Sequence, residues 1–97
     1  MDSPNKRAIY TVRYCLNCLL KNTSNQRGYS LQQESYSRWA AKELLLRLKK
    51  NKTTPPLILI EEFRDQMDHY SYINVRTSYV FSCAKDMAEW IIDLLIS

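Results

Sequence analysis

The chain has 97 residues, a formal net charge of +4 and a charged fraction of 25%. An apolar fraction of 45% over this length is enough for one hydrophobic core, so we expect one helical domain over residues 1–97 and not a disordered chain. The single glycine, Gly28, argues against glycine-rich phosphate loops and tight β-hairpins.

The sequence shows neither an export signal nor a membrane span. No long apolar segment follows the N-terminal basic residues, and no apolar run approaches the roughly 20 residues that cross a bilayer. The three cysteines, Cys15, Cys18 and Cys83, are an odd number, which is typical of reduced thiols. We therefore expect a cytoplasmic protein that does not bind a membrane.

The first predicted helix covers about residues 4–21. It begins with Ser3 as a hydroxyl cap and Pro4 at the first helical position. Its apolar stripe has helical spacing: Ala8, Ile9, Val12, Cys15, Leu16, Leu19 and Leu20. The side away from this stripe carries basic and aromatic residues: Arg7, Tyr10, Tyr14 and Lys21.

The second predicted helix covers about residues 31–50. Ser30 is its expected cap, with Gln33 as the capping-box partner. The apolar stripe consists of Tyr36, Ala40, Ala41, Leu44, Leu45 and Leu48. Trp39 and Leu46 lie on the opposite side, flanked by Arg38, Lys42, Lys49 and Lys50.

The third predicted helix covers about residues 56–70, after a Thr54 cap and the prolines that follow it. Its apolar stripe consists of Leu59, Ile60, Phe63, Met67 and Tyr70. The opposite face carries Glu62, Asp65 and His69, which are spaced three and four residues apart.

The last third of the chain has two interpretations. Apolar residues from Val80 to Leu95 follow helical spacing and predict a fourth helix over about residues 77–96. Alternation around residues 72–81 also fits a strand, although no second strand is evident to pair with it. We therefore predict a compact all-α four-helix domain, with an α+β fold containing a strand at 72–81 as the alternative.

Two motifs suggest chemistry, but both weaken when they are placed on their helices. The Cys15–Cys18 pair lies near the C-terminal end of a helix, where the dipole disfavours a thiolate, so we interpret Cys15 as a core residue. The face formed by Glu62, Asp65 and His69 points away from the core, so we interpret it as a solvated surface. We predict no catalytic residue, no metal ligand and no cofactor.

The exposed aromatic and basic residues give two hypotheses for function. The first is a non-catalytic protein-interaction or adaptor module that docks another protein or forms a homodimer through Tyr10, Tyr14, Trp39 and Leu46. The alternative is a nucleic-acid-binding accessory protein that uses a basic face: Arg7, Arg13, Arg38, Lys42, Lys49 and Lys50.

Overall fold

A computed structural model describes residues 4–23, 31–72 and 78–97 of the chain. It contains the helices α1 (Pro4–Thr23), α2 (Leu31–Lys50), α3 (Pro56–Ser71) and α4 (Ser78–Ile96). The described residues include no strand, so the all-α four-helix prediction is confirmed. Of the strand alternative, residues 78–81 are helical, and residues 73–77 lie outside the described part of the chain.

The start of α3 differs from the predicted threonine cap. Pro55 is the N-cap residue, with extended backbone angles (φ −55°, ψ 136°), and the helix begins at Pro56 without a side-chain cap. A residue that precedes proline is disfavoured in the helical region, which explains why Pro55 stays extended. Its carbonyl instead accepts hydrogen bonds from the backbone N–H groups of Ile58 and Leu59, at 3.1 and 3.3 Å. The predicted caps Ser3, Ser30 and Gln33 lie outside the residues or side chains described.

The four helices form two antiparallel hairpins. In the first hairpin, the Asn5 side chain at the start of α1 donates a hydrogen bond to the Leu48 carbonyl near the end of α2, at 3.1 Å. In the second hairpin, Asp68 near the end of α3 pairs with Lys85 near the start of α4, at 3.0 Å. This carboxylate raises the pKa of Lys85, so the amine stays charged beside it.

The two hairpins share one hydrophobic core. Its largest fully buried side chains come from all four helices: Phe63, Leu44, Leu48, Ile60, Ile91, Val12 and Cys15. The Arg47 guanidinium of α2 lies over the Phe63 ring of α3, with its central carbon 5.0 Å from the ring centroid. Helices α3 and α4 therefore cover the apolar faces of α1 and α2, and the outer faces of α1 and α2 are left to solvent.

Charge is divided between the hairpins. Helices α1 and α2 together carry nine basic and two acidic side chains, and α1 has no acidic residue. Helices α3 and α4 together carry two lysine or arginine residues and seven carboxylates. One hairpin is thus strongly basic and the other strongly acidic, an asymmetry that the modest overall charge of +4 conceals.

Candidate functional site

A shallow groove runs between α1 and α2, on the basic hairpin. Its floor is apolar and is formed by Leu16 from α1 with Ala41, Leu45 and Leu46 from α2. Its rim is basic and is formed by Arg38, Lys42 and Lys49. We call these seven residues the α1/α2 groove. Leu46 is 41% exposed at this surface, although the fold buries most other leucines of α2 at least partly.

The rim residues differ in how much of their charge is available. Arg38 pairs with Glu34 one turn earlier, at 2.9 Å, so part of its charge is neutralised within α2. Lys42 and Lys49 are exposed, and neither ammonium group has an ion-pair partner among the residues described. These two lysines are therefore the available cations of the groove.

The structure separates the six basic residues that the sequence grouped together. Arg38, Lys42 and Lys49 line the groove, whereas Arg13, which is exposed one turn before Leu16 on α1, does not. Lys50 is exposed one turn after Leu46 and is not among the groove-lining residues either. Arg7 lies beside Leu94 of α4. Arg7, Arg13 and Lys50 are thus outside the groove.

The two predicted tyrosines lie on a different surface from the groove. Tyr10 is 72% exposed and Tyr14 is half exposed, and both line a depression between α1 and α4 with Arg7 and Leu94. A hydrogen bond between the Tyr14 side chain and Cys18 raises the pKa of Tyr14. The Tyr14 hydroxyl therefore stays protonated at physiological pH and can donate a hydrogen bond.

Trp39 belongs to an aromatic cluster that the sequence did not reveal. Its ring meets Phe81 of α4 edge-on, with the ring centroids 6.4 Å apart, and Phe81 also contacts Tyr70 of α3 at 5.3 Å. Trp39 consequently packs against α4 through Phe81 while 37% of it stays exposed. Leu46 lies two turns further along α2 and joins the groove with α1, so the two residues contribute to different surfaces.

The three cysteines are free thiols that differ in burial. All three are unpaired, and Cys15 is fully buried in the core, as the sequence indicated. Burial raises the pKa of Cys15 to about 12, so its thiol remains protonated at neutral pH. Burial raises the pKa of Cys83 as well. Since the thiolate is the reactive form, Cys15 cannot serve as a nucleophile.

The outer face of α3 is exposed and acidic. Glu62, Asp65 and His69 are all solvent-exposed, and Asp65 pairs with its neighbour Arg64 at 3.0 Å. Nowhere in residues 4–23, 31–72 and 78–97 do three or more His, Cys, Asp and Glu side chains lie close enough to hold a metal ion. Ile58, which the sequence left out of the apolar stripe of this helix, is 44% exposed at the start of the same face.

Within the described residues, none of the helices combines the length and apolar character needed to cross a bilayer. Comparisons with known proteins add no relative: no protein-family model, curated protein or solved structure matches the chain.

Proposed function

We propose that this protein is a small non-catalytic protein-interaction or adaptor module and that the α1/α2 groove is its docking surface. One observation carries the proposal: Leu46 is exposed within the apolar floor of the groove, between two available lysines, Lys42 and Lys49. An amphipathic helix with an apolar ridge and flanking carboxylates has matching chemistry. The three unpaired cysteines support a cytoplasmic location.

The composition of the groove favours protein over nucleic acid. Surfaces that bind nucleic acid are dominated by phosphate contacts and are more polar and more positive than protein interfaces. The floor, by contrast, consists of leucine and alanine side chains, which gain free energy when another apolar surface excludes water from them. The lysine rim then steers an acidic partner and sets its register.

A binding titration with defined probes tests the proposal. One probe is a fluorescein-labelled helical peptide with leucines on one face and glutamates on its flanks, and its matched control has lysines in place of the glutamates. We expect fluorescence anisotropy to show saturable binding of the acidic peptide only. Lys49→Glu should weaken this binding at least about fivefold, because it reverses one rim charge.

Lys50→Glu is the matched control variant, since it makes the same charge change one residue away, at a side chain that does not line the groove. We expect it to change affinity less than about twofold, through the long-range field alone. Equal effects of both variants, or no binding of the acidic peptide, would refute a docking role for the groove.

The second candidate is a nucleic-acid-binding accessory protein, which the clustering of Arg38, Lys42 and Lys49 on one rim favours. It predicts binding to a labelled single-stranded or duplex oligonucleotide that falls steeply with added salt. Saturable oligonucleotide binding without peptide binding would replace the first proposal with this one.

A further inference from the structure

We infer that the partner of the α1/α2 groove is a second copy of this chain, which docks through the outer face of its own α3. This inference rests on the function proposed above. The docking segment is the α3 stripe, which we define as Ile58, Glu61, Glu62 and Asp65. It combines an exposed apolar side chain with carboxylates, so its chemistry complements an apolar floor with a lysine rim.

Sequence spacing matches the stripe to the groove. On α2, Leu46 lies four residues after Lys42 and three residues before Lys49. On α3, Ile58 lies three residues before Glu61 and four before Glu62. Three residues rise about 4.5 Å and four residues about 6 Å along a helix axis. When Ile58 contacts Leu46, a carboxylate therefore lies beside a lysine whether the two helices run parallel or antiparallel.

The charges on both surfaces are available for this contact. Neither Glu61 nor Glu62 has an ion-pair or hydrogen-bond partner among the described side chains, and the same holds for Lys42 and Lys49. Groove and stripe lie on opposite hairpins of one chain, so an acidic surface and a basic surface are presented together. The proposed dimer is closed by exchange of both contacts around a twofold axis.

A charge swap followed by analytical ultracentrifugation tests the inference. The groove variant carries Lys42→Glu and Lys49→Glu, and the stripe variant carries Glu61→Lys and Glu62→Lys. We expect the wild-type chain to dimerise at low ionic strength and at concentrations up to about 1 mM, with dissociation on adding salt. Each variant alone should be monomeric, because both contacts in its homodimer become repulsive.

Mixing the two variants should restore the dimer, because one contact is then wild-type and the other is reversed with complementary signs. A chain carrying all four substitutions should dimerise as well. Its dimerisation would show that the other variants lose association through their charge and not through misfolding. The control combines Lys50→Glu and Lys52→Glu, has the same net charge as the groove variant, and should dimerise like wild type.

A wild-type chain that stays monomeric under these conditions would overturn the inference. So would a groove variant, or a mixture of variants, that behaves like the control. A monomeric wild type that still binds the acidic peptide would leave the proposed function intact. A wild type that neither dimerises nor binds the peptide would contradict both the inference and the proposed function.

Discussion

At the residue scale, burial decides what Cys15 does. The side chain is fully enclosed by the core, and its thiol pKa is raised to about 12 from an ordinary value of 9.0. A buried thiol acts as a small apolar side chain, and that of Cys15 fills space where α1 packs against its neighbouring helices. In the fold, Cys15 belongs to the core, and Cys18 is partly buried one turn later on α1.

The raised pKa of Cys15 predicts a loss of stability in alkali. Below about pH 9 the thiol is protonated in both states, and the stabilisation is complete. Between about pH 9 and pH 12 the unfolded chain ionises while the folded chain does not, so the free energy of unfolding falls by up to about 1.4 kcal/mol per pH unit.

Urea unfolding of wild type and Cys15→Ala at about pH 8 and about pH 10 measures this difference. We expect the wild-type chain to lose more stability than the variant between these pH values. Parallel losses would show that Cys15 ionises in the folded protein as readily as in the unfolded one.

At the element scale, each helix shows how far periodicity can predict a fold. The four apolar stripes predicted the four helices, because burial of one face is what holds each helix in place. Periodicity could not show which neighbouring helix contacts each residue on the side away from the apolar stripe. Trp39 and Leu46 share a side of α2, yet α4 approaches one and α1 the other, which depends on how the hairpins pack.

The contact between Asn5 and Leu48 predicts a measurable stabilisation of the α1/α2 hairpin. The Leu48 carbonyl is among the last four of α2, which have no partner within the helix, and Asn5 donates to it. Asn5→Ala should therefore lower the free energy of unfolding by about 1 kcal/mol in urea titrations. Asn17→Ala, at an exposed position of the same helix, should cause no loss, and an equal effect of both variants would contradict this role.

At the scale of the whole molecule, the division of charge is the main feature. The basic and acidic residues were visible in the sequence, and α1 is recognisably free of carboxylates. Their concentration into one basic and one acidic hairpin, however, follows from α1 pairing with α2 and α3 with α4. The sequence placed Leu46 opposite the apolar stripe of α2 and left Ile58 out of the stripe of α3, and both side chains are exposed although other members of their apolar runs are buried or partly buried.

This arrangement predicts an association in which charged residues guide the approach of the two chains and apolar side chains are buried at the centre of the contact. Salt should weaken it by screening the lysine and glutamate pairs. Burial of Leu46 against Ile58 should remain favourable at any ionic strength, because the free energy gained depends on apolar area removed from water. Under the proposed self-association, one chain supplies both halves of the docking surface.

The most direct test is zero-length carbodiimide cross-linking of an equal mixture of isotopically heavy and light chains, read by mass spectrometry. The reagent joins an amine to a carboxylate only when the two are in contact. The Lys85–Asp68 pair, 3.0 Å apart within one chain, is the internal positive control. We predict mixed heavy–light cross-links from Lys42 or Lys49 to Glu61 or Glu62. Lys85–Asp68 products without any mixed cross-link at the groove lysines would contradict docking of α3 in the α1/α2 groove.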